Sequence, residues 1–201
     1  MRKFTRKTCP DVLLEAFSKT NTKQRWIVYG ERYAKQINRS YYNYPKINRQ
    51  KLNHLVFPIL LAQTDNHCSY CDGFPLMSAD ETIDHFKPKS KFPLDVCNWD
   101  NLYVACAHCQ KVKGDKFDVL LISPDELSYD FNAYFFYDFT EHEIRILPNL
   151  DIDKLNRAKK TDEILDFNHK AMVESRRQSY DGFWDKPDYP PKKLKHRFIF
   201  E

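Results

Sequence analysis

Two C-x-x-C pairs, Cys68-Ser69-Tyr70-Cys71 and Cys106-Ala107-His108-Cys109, limit what this sequence can fold into more than any other feature. Tetrahedral structural zinc takes four thiolates, and two such knuckles supply them. Their spacing predicts a small metal-stapled unit over residues 66–120. With four sulfur ligands no coordination position stays open for water, so this zinc is expected to be structural. His67 and His108 sit beside ligand cysteines, but the set is complete without them. Cys9 and Cys97 have no pair and read as ordinary thiols.

The chain of 201 residues is long enough for one core. No apolar run reaches bilayer length, and the basic start Met1 to Lys7 is not followed by the apolar stretch of a secretory signal. A cytoplasmic location is therefore expected. There disulfides are rare, and a metal is the better account of paired cysteines. The net charge of +4 hides an asymmetry: residues 1–60 hold 13 Lys or Arg against 3 Asp or Glu, a charge of +10, and the remainder carries −6. Trp26, Tyr29, Tyr33, Tyr41, Tyr42 and Tyr44 are interleaved with those cations, a pattern that fits a polyanion through phosphate attraction and base stacking. It fits equally a solvated helical face over an aromatic core.

Four segments follow from the patterning: a basic helical region over 1–65, the stapled unit over 66–120, a β-hairpin with C-terminal helices over 121–184, and a proline-rich tail over 185–201. In the first, apolar spacing predicts three helices, through Val12, Leu13 and Phe17, then Trp26, Ile27, Tyr33 and Ile37, then Leu52, Leu55, Val56, Ile59 and Leu60. Breaks are expected near Asn21 and Tyr44-Pro45, and Pro58 makes the third helix kinked or late to start. Tyr134–Tyr137 and Glu143–Leu147 read as a hairpin turning at Thr140-Glu141-His142. Thr161 is read as the cap of a helix running to Arg177, and the tail as an extended arm that docks on a partner. The fold class is thus α+β, a mainly helical single domain around the stapled unit.

The chemistry lies between and just after the knuckles, in Thr82-Ile83-Asp84-His85-Phe86-Lys87-Pro88, in Asn101-Leu102, and in Gln110-Lys111-Val112-Lys113-Gly114. Phosphodiester cleavage needs a base for water and a cation for the developing charge. His85 offers an imidazole with an ordinary pKa near ~6.5 as base, and Asp84 a hard oxygen ligand for Mg²⁺ or Mn²⁺. Lys87, Lys89 and Lys113, with Lys91, Lys111 and Lys116, are expected to hold DNA through its phosphates.

This ordered set, C-x-x-C, D-H-x-x-P, N-L, C-x-x-C, K-G, resembles the HNH (ββα-metal) endonuclease family. The resemblance implies that Asn101 braces the loop carrying His85, and that Asp84 and the residue after the last cysteine share the catalytic metal. That residue is Gln110, where the family usually has asparagine or histidine. Glutamine offers an amide oxygen one methylene further out, and Asp115 is a substitute. Met1-Arg2-Lys3-Phe4-Thr5-Arg6 with Pro10, and the Lys160–Arg177 stretch, extend the likeness to the PtuB-type nuclease subunits of Septu and retron-associated antiphage systems. That likeness implies a PtuA-like ABC/SMC-type ATPase partner, and the chain has no G-x-x-x-x-G-K-[ST] loop of its own and only four glycines. Two other readings stay open: a free-standing HNH nuclease, and a zinc-ribbon adaptor that binds nucleic acid or a partner without cutting.

Overall fold

The computed structural model describes residues 1–36, 42–74, 76, 82–185 and 190–201. Its elements are helices and three two-stranded antiparallel sheets among the described residues. The N-terminal region holds α1 (Asp11–Leu14), α2 (Arg25–Ala34) and α3 (Leu52–Gln63). The break after α1 comes earlier than expected, because the chain folds back through an antiparallel bridge between Ala16 and Gln24. Pro58 lies inside α3, which starts at Leu52, so the proline does not delay the helix. Between α2 and α3 runs a minimal hairpin, β1 (Lys46–Ile47) and β2 (Gln50–Lys51). Asn48 and Arg49 both take positive φ at its turn, the geometry that matches strand twist in two-residue hairpins. Ile37 and Tyr41, read above as helical and aromatic positions, lie outside the described residues.

The organising element is β4 (Leu102–Ala105), paired with β3 (Thr82–His85) so that Asp84 faces Tyr103 and His85 faces Leu102. All four β4 residues are buried. Strand geometry sends alternate side chains to opposite faces, and β4 accordingly serves two cores. Leu102 and Val104 join Tyr29, Tyr33, Leu52, Val56, Leu60 and Trp99 on one side. Tyr103 and Ala105 join Phe4, Tyr70, Tyr129, Phe135, Ile164 and Phe198 on the other. Helix α2 presses close to this hairpin's connecting loop: a Cβ on Gly30 would stand 2.1 Å from the Leu94 carbonyl oxygen, so only glycine fits there.

Helix α4 (Ala107–Lys113) follows β4 directly, after Cys106. Strands β5 (Phe135–Asp138) and β6 (Glu143–Ile146) form the expected hairpin. The single helix expected through Thr161 is two helices, α5 (Ile152–Leu165) and α6 (Lys170–Asp185). Asp151 is the cap of α5, accepting from the Lys154 amide at 2.8 Å, and the chain leaves α5 through the left-handed Asp166. Thr161 is buried mid-helix, where its hydroxyl accepts from the Ile122 amide at 3.0 Å.

The tail is the larger correction. Residues 194–199 are not an extended arm: Leu194, His196, Arg197, Phe198 and Ile199 are buried. Arg197 grips Asp72 with its guanidinium and backbone amide and also reaches Asp65 and the Thr64 carbonyl. A proline-rich, charged composition hid this, because the burying residues are concentrated in positions 194–199, after the prolines. Residues 186–189 of that stretch are outside the description. No helix of the described residues is long and apolar enough to cross a membrane.

Candidate metal centre and active site

The sulfurs of Cys68, Cys71, Cys106 and Cys109 all lie within 4.8 Å of one another. Four ligands at the ordinary Zn–S distance have tetrahedral edges of ~3.8 Å, and the Cys71 and Cys106 sulfurs are 3.8 Å apart. The group therefore fits a zinc-sized ion. Backbone amides help to set it: the Cys106 amide donates to the Cys68 sulfur at 3.4 Å and the Cys109 amide to the Cys106 sulfur at 3.5 Å. Cys106 thereby caps α4, placing a sulfur at the positive end of a helix. Hydrogen bonds from the other three thiols pull the Cys106 thiol far below its ordinary range, which favours a thiolate in the cluster.

Neither neighbouring histidine joins the sulfurs. The ring nitrogens of His67 lie 2.7 and 2.8 Å from the Asp65 and Leu194 carbonyl oxygens, and that ring stacks on Phe74. His108 turns toward His169, ring centroids 4.6 Å apart. Cys97 is fully buried beside the Tyr42 hydroxyl, in the other core.

On the far side of β3 a cleft of about 570 Å³ is lined by Asp84, His85, Lys89 and Gln110 among others. His85 is 8% exposed, and its Nε2 lies 3.0 Å from the Val96 carbonyl oxygen. A carbonyl can only accept, so Nε2 carries the proton and Nδ1 keeps a lone pair. Burial pushes the imidazole down to about 4, with Lys89 and Lys113 adding to the shift, so the ring is neutral. Asn101 makes three bonds across the loop that follows His85. Its carboxamide oxygen accepts from the Lys87 amide at 2.7 Å, and its nitrogen donates to the Lys87 and Asp95 carbonyls at 3.0 and 3.1 Å.

Asp84 is buried, and burial pushes its carboxyl up. Lys113 and Tyr70 oppose this: the ammonium lies 3.0 Å from Oδ2 and the phenol donates to the same oxygen at 2.7 Å. Lys113 also donates to the His85 carbonyl at 2.7 Å. Read from the sequence as a phosphate-facing lysine, Lys113 is instead fully buried beneath β3. The pattern carried a signal for this. Lys113 is four residues past Cys109, hence on the same inward face of α4. Gly114 then ends the helix at φ +53°, a conformation that favours glycine, and lines the cleft. Lys87, Lys111 and Lys116 are exposed, and Lys89 is half-buried at the cleft wall. Asp115, the substitute ligand, also lines the cleft and is exposed.

Replacing Lys113 with methionine is expected to cost about 3–5 kcal/mol of stability, because the buried Asp84 carboxylate loses its cation while the volume is kept. Urea denaturation of Lys113→Met beside wild type measures it. A loss under about 1 kcal/mol would mean that the pair does not hold β3 and α4 together.

A second cleft of about 680 Å³ adjoins the first, sharing Tyr44, Ile83 and Gln110 as common wall, and is otherwise lined by Asn53, His54, Phe57, Pro58, Leu61 and Thr82. Sequence reasoning read α3 from its apolar positions and did not identify this cleft on its edge. Its signal was the polar pair Asn53-His54 inside an otherwise apolar run.

No family model matches the sequence. Over 56 residues the chain is 38% identical to the Septu protein PtuB of Bacillus thuringiensis, a stretch that covers 27% of this chain and 22% of that protein. The chain is thus similar, over about a quarter of its length, to a component of a Septu system.

Proposed function

We propose that this chain is a metal-dependent endonuclease of the HNH type that hydrolyses DNA phosphodiester bonds. The observation that carries the reading is the cleft itself, where a neutral histidine with its Nε2 proton engaged and, among the described residues, no hydrogen-bond partner at Nδ1 shares walls with a carboxylate, an amide and a lysine. The succession β3, β4, α4, with the knuckles at its base, supports it.

His85 Nδ1 takes the proton of the attacking water. Val96 holds that ring in the tautomer the step requires, and Asn101 fixes the turn after it. Lys113 and Tyr70 oppose the upward push of burial on the Asp84 carboxyl through Oδ2, and Asp84 lines the cleft. Asp84 and Gln110 are the residues that would hold a divalent ion; two protein ligands suit Mg²⁺ or Mn²⁺, which keep several waters. Such an ion, when bound, would neutralise charge on the phosphate and leaving oxygen. Lys89 offers a phosphate contact on the same wall.

The likeness to a Septu protein supports a role in antiphage defence, as the cytoplasmic nuclease subunit of a complex whose PtuA-like ATPase governs cutting. One observation favours the adaptor reading instead: two buried donors already occupy Asp84 Oδ2.

Incubating the zinc-loaded chain with supercoiled plasmid and with single-stranded DNA, in Mg²⁺ or Mn²⁺, alone and with the co-encoded ATPase, tests the proposal. Nicking that needs the divalent ion is the expected result. DNA bound but never cut, under either ion and with the ATPase present, would establish the adaptor.

A further inference from the structure

The cleft beside the proposed catalytic one has a composition that phosphate chemistry does not use. Tyr44 and Phe57 bring two aromatic rings to it, Leu61 and Ile83 bring apolar walls, and Asn53 and His54 bring hydrogen-bonding groups. A flat, hydrogen-bonding ring is the ligand such a set fits, since bases stack on aromatic faces and are read by amides along their edges. Asn53 supplies the independent observation. Its carboxamide oxygen is buried with no hydrogen-bond partner among the described residues. An unsatisfied buried acceptor is costly, so a donor that reaches this oxygen is favoured.

The clefts meet at Tyr44, Ile83 and Gln110, so a nucleotide chain whose phosphate lies against His85 has the second cleft immediately beside it. Burial pushes the Tyr44 hydroxyl up, with the nearby Cys97 and Asp84 adding to the shift, so this wall stays uncharged next to the acidic group. A base in a Watson–Crick duplex is stacked on both faces and paired at its edge, and must leave the helix to enter such a pocket.

We propose that the second cleft is a subsite for one unpaired nucleobase of a single-stranded DNA segment, stacked by Tyr44 and Phe57 and read by Asn53. The proposal rests on the nuclease reading for the phosphate's position, and on the cleft's own residues for the base. It makes the preferred substrate a single strand or an opened duplex, and makes the nucleotide next to the cut a point of sequence preference.

The probe is a fluorescein-labelled 12-nucleotide single strand, its copy with one central abasic site, and the intact strand as a duplex. Binding is followed by anisotropy with zinc-loaded protein and no Mg²⁺ or Mn²⁺, so that no cleavage is involved. Wild type should bind the intact strand at least about fivefold more tightly than the abasic copy, the low end of what one base–aromatic stack contributes, and more tightly than the duplex. That intact-to-abasic ratio should fall toward one in both Phe57→Leu and Asn53→Ala. A ratio of one in wild type, or a ratio kept in both variants, would overturn the subsite. A wild-type ratio that depends on Phe57 and Asn53 without cleavage in any ion would retain the subsite and remove the hydrolysis. Cleavage with no such ratio would do the reverse.

Discussion

Stripping the four-cysteine centre with a high-affinity chelator is expected to unfold the half of the molecule that surrounds it, with loss of the near-UV aromatic signal and of the cooperative thermal transition. Structural zinc contributes about 10–16 kcal/mol of apparent binding energy in small sites, whereas a whole domain is stable by only about 5–15 kcal/mol. An ion there would join two segments whose described backbone links are few: the Cys106 amide donates to the Cys68 sulfur, and just before the second knuckle the Val104 carbonyl accepts from the Ser69 amide. Tyr70, Tyr103 and Phe135 pack in the core around the knuckles, so these rings report on it. Cys109→Ala should lose the ion and the transition together, while Cys97→Ala, whose thiol lies in the other core, should keep one zinc per chain. A chelated protein with an unchanged transition would remove the metal from the account of the fold.

His85→Ala is expected to lower DNA cleavage by about 10²–10⁴-fold, the contribution of a positioned general base, with zinc content unchanged. Some stability will go with it, because the Val96 carbonyl is left without its donor, at about 1–3 kcal/mol. Cleavage by the variant within a few-fold of wild type would sink the assignment. The pH profile carries a second, independent reading. The base works unprotonated, and burial has moved this ring down to about 4. Lowering the pKa extends the neutral form to lower pH, so the wild-type rate should show no acid limb near the ordinary histidine value of ~6.5. A half-maximal rate near ~6.5 would mean that a solvent-exposed histidine, and not His85, takes the proton.

What the sequence made legible was what depends on spacing. The cysteine pairs needed no tertiary information, because C-x-x-C geometry is local, and all four sulfurs do converge. The β5–β6 hairpin was legible for the same reason, with its alternation and turn adjacent in the chain. Asp84, His85 and Gln110 were named from order along the chain, and all three do line one cleft. The misses belong to groups whose partners are distant. Lys113 looked like a surface cation because lysine usually is one, and its partner Asp84 sits on another element. Arg197 looked like part of a charged tail, yet its hydrogen bonds to Asp72 span 125 positions. Thr161 failed differently: a polar residue before an apolar run resembles a cap, but Asp151 had already started the helix nearly three turns upstream.

The clasp between Asp72 and Arg197 also bears on how the molecule comes into being. A chain that emerges from the ribosome N-terminus first presents all four cysteine ligands well before Leu194, His196 and Arg197 have been made. The sulfurs can gather an ion while the Asp65 and Asp72 carboxylates and the Cys71 carbonyl, which Arg197 and His196 later engage, still face water. Closure by the last residues then comes after metal capture in time. A nascent chain would thus be more open to metal exchange before residues 194–199 dock than after.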